Sequence, residues 1–487
     1  MTCPELGDAD RLYPRMIIDA LPDDVLLETF EFYLGKDDID RIDYDHIYDG
    51  WHKIVHVCRR WRCIVRCIVF SSPRRLDLKL CCTPHRSINS ETLDIWPALP
   101  IVILSPDVPS DENATNIIAA LRHHNRVCKV YYVNGPFQNS VLKDFAAIDE
   151  PFPALTSLEL VSYGKFGQNV PVLPDSFLGG SAPRLRSLHL HGIPYPSIGM
   201  LLSSTTNLAR LSLSRIPRSG YISPETIVPF LSALSRLESL VLGFQHPRSE
   251  AQRANRRPPP LTRIAFPNLT SLDFHGDMEY LEDVLSQIEA PILHYSKFDF
   301  FNQLMFDTPL LGHFIRRTET FIKIHTASVR FSGWSVKVTL SGLERVSNTH
   351  KEALQVGFSC KPMDWQLSAV AQVLNSFSSS LSTLESLDIE VSHDDDWQGE
   401  IEVAQWQEFL HPFSAVKDMA LVFEDSVRLV APALQELDGE REIEVLLGLQ
   451  NIFLKTHGWQ PTGPPKEAIE QFVATRQLYG HPVIVHY

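Results

Sequence analysis

The residues with the clearest metal-ligand spacing are two histidines and two cysteines near the start of the chain. His52 and His56 stand four residues apart, as do Cys63 and Cys67, and imidazole and thiolate groups are the usual zinc ligands. One helix would separate the two pairs by about 11 residues, or roughly 16 Å. A single zinc ion could contact both pairs only if that helix were broken. We therefore expect no metal site and no cofactor.

Other chemically suggestive clusters have simpler interpretations. Cys81 and Cys82 are adjacent at the end of a predicted strand, where such thiols are more often buried than reactive. The aspartates at 394–396 lack the spacing of a calcium-binding EF-hand loop and are expected in a solvated loop. The sequence has no phosphate-binding glycine loop, no Gly-x-Ser-x-Gly elbow and no His-Glu-x-x-His helix. It therefore favours a protein that is not an enzyme.

Composition and charge limit the partners and the compartment. The chain has 487 residues, of which 44% are hydrophobic and 21% charged, as in folded globular proteins. Its 44 basic and 59 acidic residues give a net charge of −15, which disfavours nucleic acid and membrane partners. No signal peptide or long apolar run is evident. Eight cysteines without a paired framework predict a reducing cytoplasmic or nuclear location.

Two amphipathic segments near the N-terminus predict a pair of short helices. Pro22 suits the first turn of the first helix, and an apolar stripe follows it at three- and four-residue steps. The acidic segment 35–50 predicts an exposed loop. A second apolar stripe begins at Trp51 and ends before Pro73, because the residue before a proline disfavours the helical conformation.

A leucine pattern recurs from about residue 150 onward and dominates the rest of the chain. Each copy has an apolar residue, two others, a second apolar residue, one other, and a third apolar residue. The copies begin at Leu155, Leu185, Leu208, Leu237, Leu269, Leu384, Val416 and Leu449. The first five begin 30, 23, 29 and 32 residues apart. In leucine-rich repeats, such positions point into a core that neighbouring turns share, and helices cover the other side.

The pattern predicts an α/β fold, an irregular leucine-rich-repeat-type solenoid of parallel strands with covering helices. Phrases such as Phe152–Leu155 place a proline in a turn that enters a strand. The 115-residue interval between Leu269 and Leu384 lacks clear copies, and we expect about three degenerate repeats there. The candidate strands are 322–324, 336–340 and 354–358, with another near 293–300. The alternative is an ordinary α/β domain with leucine-rich strands, against which the near-regular spacing argues.

These patterns divide the chain into segments. They are a tail at 1–16, a helical motif at 17–75 with the loop 35–50, entry strands and helices at 76–150, a solenoid at 151–460 with an exposed Arg/Pro-rich loop at 248–260, and a C-terminal cap at 461–487.

The N-terminal helical motif resembles an F-box. The resemblance rests on Leu21-Pro22, on the helix that follows, and on residues 57–62, Val-Cys-Arg-Arg-Trp-Arg. The longer phrases 51–62 and 71–78 and the closing segment 468–483 are similar to F-box proteins of mushroom-forming fungi. This resemblance implies that the motif binds a Skp-type linker protein and, through it, a cullin. The repeat array would then hold an unidentified protein target for ubiquitination.

Two features depart from a compact F-box. The acidic loop 35–50 is longer than expected, and Arg-Cys-Ile-Val at 62–65 is repeated at once at 66–69. Four extra residues add about one helical turn and rotate the apolar stripe by roughly 40°. The duplication could therefore change how the adaptor motif is aimed relative to the array.

The resemblance also implies which residues bind the linker. They are Leu21, Pro22, Val25, Leu26, Phe30, Trp51, Ile54, Val57 and Trp61. Pro22 and the aromatic residues are the expected hot spots, because rigid anchors dominate such interfaces, although Trp61 fits an internal core position equally well. Polar positions between the strand leucines are candidates for binding the target, although solvation alone could explain each one. They are Glu159, His189, Ser212 and Asp273.

The main alternative is a repeat scaffold with no ubiquitin link, in which the N-terminal helices only cap the array. A cap would bury Leu26, Phe30 and Trp51 against its own chain, whereas an F-box would leave them for a partner. An enzyme is a third possibility. It would need a pocket of acids, bases or thiols, and the sequence indicates none.

Overall fold

The structure is a computed structural model. It describes residues 21–34, 57, 59–61, 78–81, 93, 99–105, 111–134, 140–163, 170–248, 263–303, 305–343, 350–360, 363–392, 402–436, 445–455 and 461–487. The predicted tail 1–16, the acidic loop 35–50, the duplication 62–69 and the His52, His56, Cys63 and Cys67 set lie outside these residues. The chain divides into two compact units, Met1–Tyr132 and Val133–Tyr487.

The first unit contains a short helix and a parallel strand arrangement. Its elements are α1 (Asp23–Leu34), β1 (Leu78–Cys81), β2 (Ile101–Ser105), α2 (Asp111–Leu121) and most of β3 (Val127–Asn134). β2 pairs in parallel with both β1 and β3, and α2 lies within the long crossover that a parallel connection needs. α1 begins directly after Pro22, whose carbonyl oxygen accepts hydrogen bonds from the N–H groups of Val25 and Leu26. This agrees with the predicted helix start.

The second unit alternates strands and helices. Its strands are β4 (Ser157–Ser162), β5 (Ser187–His191), β6 (Arg210–Ile216), β7 (Ser239–Phe244), β8 (Ile264–Ala265), β9 (Ser271–Gly276), β10 (Ile288–Glu289), β11 (Tyr295–Phe300), β12 (Ile324–Ser332), β13 (Ser335–Leu343), β14 (His350–Phe358), β15 (Ser386–Val391), β16 (Asp418–Val422), β17 (Asn451–Lys455) and β18 (Ile484–His486). Its helices are α3 (Ser140–Ala146), α4 (Ile198–Ser204), α5 (Pro224–Ser232), α6 (Met278–Gln287), α7 (Pro309–Arg317), α8 (Met363–Ser376), α9 (Ser378–Leu381), α10 (Val403–Leu410), α11 (Glu424–Glu436) and α12 (Pro464–Leu478).

The strands of the second unit build a mostly parallel sheet, so the fold is mixed α/β. The order across the sheet is β4-β5-β6-β7-β9-β11-β14-β13-β12-β15-β16-β17-β18, and β8 pairs separately with β10. Among the helices that the structure describes, none combines the length and apolar composition needed to cross a membrane.

The leucine triplets form the core of this unit, as the sequence pattern predicts. Every residue of the eight triplets is at most 6% exposed. The central residues align across neighbouring strands, and Leu158, Leu188 and Leu211 are consecutive register partners. Two of the three apolar positions lie two residues apart on a strand, so their side chains share one face. Burying that face is the main stabilising contribution of the pattern.

The predicted proline turns precede the strands. The carbonyl oxygen of Phe152 accepts from the N–H of Leu155 at 3.2 Å, and that of Phe266 accepts from Leu269 at 3.4 Å. In each four-residue turn a proline occupies the second position, where its fixed φ favours the turn. The turns bring the first leucine of each triplet into the core.

The interval between Leu269 and Leu384 differs from the expectation of about three parallel repeats. β11 continues the parallel order, but β13 is antiparallel to both β12 and β14. Only Gly333 and Trp334 separate β12 from β13, and two residues suffice for a hairpin, whereas a parallel crossover needs a dozen or more. The predicted strands 336–340 and 354–358 lie within β13 and β14. The predicted strand 322–324 overlaps β12 only at Ile324, because Glu319–Lys323 form a 3-10 helix. The expectation of parallel repeats is wrong at β13.

Arg248, the first residue of the predicted Arg/Pro-rich loop 248–260, is buried rather than solvated. Its side chain is 6% exposed and lies 3.4 Å from Asp277, 3.5 Å from Glu279 and 3.9 Å from Asp283. Opposite charges of this kind offset the cost of removing a guanidinium from water. The carboxylates come from the following strand–helix connection and from α6, so local composition did not reveal them. The loop after Arg248 lies outside the residues that the structure describes.

Candidate functional site

Four polar residues predicted to bind a target lie in one row of the second unit's sheet. Glu159 in β4 is in register with His189 in β5, and His189 is in register with Ser212 in β6. The row continues through Val241 to Asp273 in β9. These side chains are half-buried, whereas the leucines on either side of them are buried. The row therefore lies on the face opposite the leucine core, which we call the strand face.

A second row, two residues further along the strands, contains a bulge that the leucine pattern does not indicate. His191 is in register with Ser214, and Gly243 with His275. The register shifts between β6 and β7, so that Ser214 and Arg215 together oppose Gly243. Arg215 has a φ of 50°, which residues other than glycine rarely adopt. We name this set the histidine–arginine notch: His191, Ser214, Arg215, Gly243 and His275.

The His191 side chain has several neighbours. Its Nδ1 atom lies 2.9 Å from Ser214 Oγ, and its ring stacks on His189 with centroids 6.4 Å apart. The ring of Tyr163 lies 5.4 Å away. The Nε2 atom of His191 is buried and has no hydrogen-bond partner among the residues that the structure describes. One nitrogen of this imidazole is therefore fixed and the other is unsatisfied.

Burial lowers the pKa of the histidines on this face. The pKa of His189 falls to about 4, first through burial and then through the adjacent His191. The pKa of His191 is lowered by burial and by the charge of Arg215. Burial also lowers the pKa of His275; Asp299 opposes that shift, and Lys297 and Arg215 add to it. Near neutral pH these imidazoles are uncharged, and each carries one N–H donor.

We expect His189→Gln to weaken the dependence of stability on pH. The pKa of His189 is lowered from 6.5 to about 4 in the folded chain, so below pH 6.5 the unfolded chain gains a proton that the folded chain excludes. The stability that neutral His189 permits is complete above that pH and is lost as the pH falls toward 4. Between pH 7.5 and 5 the intact chain should lose about 1–2 kcal/mol more than the variant.

Urea unfolding at the two pH values measures this difference. His294→Gln is the control, because His294 is exposed and its replacement should leave the loss between the two pH values unchanged. Glu159 and Asp273, whose pKa values burial raises, oppose the effect of His189 at the acidic end of the range. If His189→Gln loses as much stability as the intact chain, the burial of the His189 imidazole does not control this pH dependence.

Lys297 partly neutralises the acidic side chains of the strand face. Its Nζ atom lies 2.9 Å from Asp299 and 3.7 Å from Asp273. Burial raises the pKa of Asp273, and Lys297 opposes that shift. This part of the face is therefore less acidic than the net charge of the whole chain suggests.

Beyond the antiparallel strands, the same face carries ion pairs between strands. Arg330 lies 2.8 Å from Glu390, and Lys455 lies 3.3 Å from Asp388. Such exposed pairs contribute about 0–1 kcal/mol each, but they occupy the charges within the chain. Arg215 differs, because among the residues that the structure describes no carboxylate lies within ion-pair distance of its guanidinium.

The predicted linker-binding residues near α1 fall into two groups. Leu21 is 41% exposed, Val25 44% and Val57 58%, and Pro22 is exposed as well. Leu26 is only 1% exposed, so its side chain is not available on the surface as that prediction requires. Neighbouring helical residues are about 100° apart around the axis, which allows Val25 to face solvent while Leu26 faces inward.

The segment 59–61 contacts the start of α1. The Arg60 guanidinium donates a hydrogen bond to Asp23 Oδ1 at 2.7 Å and another to the carbonyl oxygen of Leu21. Trp61 is half-buried, which fits both an interface position and a core position. The remaining predicted linker-binding groups lie outside the description: the side chain of Phe30, and all of Trp51 and Ile54.

The residues that the structure describes form no evident metal-binding or catalytic cluster. Among them, no group of three or more His, Cys, Asp or Glu side chains could hold a metal ion. Cys360 is buried, and burial followed by the charge of Asp364 raises the pKa of its thiol to about 11. A thiol with that pKa is a weak nucleophile at neutral pH. The strand face is therefore the candidate functional site.

Fold and site together define an α/β protein with a mostly parallel sheet and a polar strand face over a leucine core. Comparison with protein-family models finds no match to this chain, and comparison with curated proteins finds none either. Its function is therefore inferred from its sequence motifs and from the geometry of its surfaces.

Proposed function

We propose that this chain is the substrate-receptor subunit of a Skp–cullin–F-box ubiquitin ligase. Its N-terminal F-box binds the Skp-type linker protein, and its repeats form a leucine-rich-repeat-type solenoid that holds a protein target. The observation that best supports a receptor role is the row of half-buried side chains from Glu159 to Asp273, polar at every strand except β7, where Val241 lies. Repeat arrays bind proteins through extended surfaces of this kind.

The receptor acts through position rather than through chemistry. It holds the target beside the ubiquitin-carrying enzyme, and this proximity converts a collision between two proteins into a reaction within one complex. No catalytic residue, metal or cofactor is required of the receptor itself. The complex would operate in the cytoplasm or the nucleus, where thiols stay reduced.

Exposed apolar residues around α1 support the linker-binding role. Leu21 and Val25 expose 41% and 44% of their surface beside the rigid Pro22, and Val57 exposes 58%. Apolar residues that cluster at a rigid position are typical of the centre of a protein interface. The linker would cover them in the complex.

A second candidate function is a repeat scaffold with no ubiquitin link. Leu26 is buried against its own chain, as expected if the N-terminal helices pack as a cap. The contact of Arg60 with Asp23 also fits a self-contained helical unit. The scaffold would bind protein partners through the same strand face.

Affinity capture distinguishes the two functions. The intact chain is compared with Leu21→Ala/Pro22→Ala in a lysate from a mushroom-forming fungus, and the recovered Skp-type linker and cullin are quantified by mass spectrometry. Under the receptor hypothesis, the intact chain should recover both proteins. The variant should recover at most about one tenth as much linker as the intact chain, because hot-spot residues carry most of the binding energy.

Pro291→Ala/Ile292→Ala is a matched control in the second unit. Ile292 is 41% exposed, as Leu21 is, and follows an exposed proline, so the control should capture the linker like the intact chain. Failure of the intact chain to recover the linker, under conditions that recover a known F-box protein, would leave the scaffold as the function.

A further inference from the structure

The bulge in β6 places a strained arginine on the strand face. Ser214 and Arg215 oppose Gly243 alone, and the φ of 50° at Arg215 lies where glycine is favoured. Bulges re-aim side chains, and backbone strain of this kind concentrates at functional sites. Arg215 is exposed, and its positive charge contributes to the lowered pKa of both His191 and His275.

Two polar groups of the notch have no partner among the residues that the structure describes. Arg215 has no carboxylate within ion-pair distance among the described residues, and His191 Nε2 has no hydrogen-bond partner among them. Along the face, Asp273 and Asp299 lie within 4 Å of Lys297, and Asp299 is the register partner of His275. Arg215 is therefore a charged donor of the notch for which the described residues supply no carboxylate partner.

Gly243 is a buried strand-face position without a side chain, on a strand between those of His191 and His275. A Cβ atom at Gly243 would lie 3.5 Å from His275 Cβ and 3.6 Å from the backbone nitrogen of Arg215. His191 in β5 and His275 in β9 are separated by three strand spacings, or about 14 Å. That width accommodates the side chains of an extended peptide that crosses the strands.

We propose that the histidine–arginine notch is an anion-binding site that takes carboxylate side chains from an acidic segment of the protein target. The planar guanidinium of Arg215 matches a carboxylate through two parallel hydrogen bonds. A neutral imidazole N–H can complete the coordination of the anion. This inference rests on the proposed target-binding role of the strand face.

Fluorescence anisotropy with the full chain tests the site directly. The probes are a fluorescein-labelled polyglutamate peptide and a polyglutamine peptide of equal length. We expect polyglutamate to bind about tenfold more tightly or better, and Arg215→Gly to abolish the difference, because a charged hydrogen-bond donor is lost. Arg236→Ala is the control, since Arg236 is an exposed arginine outside the notch, and it should bind like the intact chain.

Two further variants separate binding from folding. Arg215→Gly should keep or raise the melting temperature, because glycine adopts a φ of 50° without strain. Gly243→Val leaves every charge in place but fills the notch, and it should also lose the preference for polyglutamate. Displacement of the peptide by inorganic phosphate would assign the notch to anions in general, and a lack of displacement would assign it to carboxylates.

The proposal is overturned if polyglutamate and polyglutamine bind equally to the intact chain. It is also overturned if Arg215→Gly and Gly243→Val keep the preference for polyglutamate. The peptide experiment does not involve the linker. Loss of linker capture with intact peptide binding would reject only the ubiquitin role, and the reverse result would reject only the notch.

Discussion

Trp406→Ala should lower the free energy of unfolding of the second unit by about 3–5 kcal/mol. Trp406 in α10 is 2% exposed. Its indole ring meets Phe331 of β12 at 6.2 Å and Phe409 at 5.7 Å between centroids, both edge to face. Truncation removes the buried surface and both aromatic contacts, each worth about 0.5–1.5 kcal/mol. The cavity would be lined by a strand and a helix that cannot easily collapse together.

Urea unfolding followed by circular dichroism measures this loss. Trp334→Ala is the matched control, because Trp334 is 61% exposed in the turn between β12 and β13. Its replacement should change stability by no more than about 0.5 kcal/mol. Equal losses for the two tryptophans would show that burial at Trp406 does not determine the stability of this region.

The Trp406 cluster also shows how the antiparallel strands are joined to the repeats. Phe331 belongs to β12, which pairs in parallel with β15 through Ala327 and Leu387. β12 is thus antiparallel to its hairpin partner and parallel to the next repeat strand. The inserted hairpin therefore continues the leucine core, because the apolar face of β12 substitutes for a missing triplet.

The sequence was sufficient to predict the parallel part of the sheet. Each triplet places two apolar residues two positions apart on a strand, and this periodicity depends only on local chain geometry. Leu240 and Leu272 became register partners although they are 32 residues apart, because each strand must bury the same face. Local pattern and tertiary packing agree in these repeats.

The sequence was insufficient where pairing depends on connection length. Residues 336–340 were recognised as a strand, but apolar alternation is the same in parallel and antiparallel pairs. The distinguishing signal is the two-residue turn closed by Ser332 Oγ, which donates a hydrogen bond to the carbonyl oxygen of Ser335 at 2.8 Å. A connection of only two residues, Gly333 and Trp334, favours a hairpin.

The candidate site was predictable in part for the same reason. Alternation along the strands identified the row that contains His189 and Ser212, because positions between buried leucines must face the other way. The notch was missed because the φ of Arg215 and the bulge at Gly243 are properties of strand pairing. Whether the chain itself covers Leu26, which is 1% exposed, could not be predicted, because an apolar stripe does not reveal which of its members are buried within the chain.

Glu282→Ala should lower the free energy of unfolding by about 2–3 kcal/mol. Glu282 in α6 is 4% exposed. Its carboxylate accepts hydrogen bonds from the N–H groups of Leu310 at 2.9 Å and Leu311 at 2.7 Å. Both donors lie in the first turn of α7, where Thr308 makes no side-chain capping bond. The carboxylate therefore satisfies two helix-end donors and interacts favourably with the positive end of the helix dipole.

Glu282→Gln tests whether charge matters beyond hydrogen bonding. The amide keeps one acceptor oxygen but loses the negative charge. The free energy of unfolding of Glu282→Gln should therefore lie between that of the intact chain and that of Glu282→Ala. Glu408→Ala is the control, because Glu408 is an exposed glutamate on α10, and its effect should stay within about 0.5 kcal/mol. If Glu282→Ala is as stable as this control, the helices α6 and α7 do not depend on the carboxylate. A large loss would instead show that one helix caps its neighbour, an interaction between successive repeats that apolar periodicity cannot reveal.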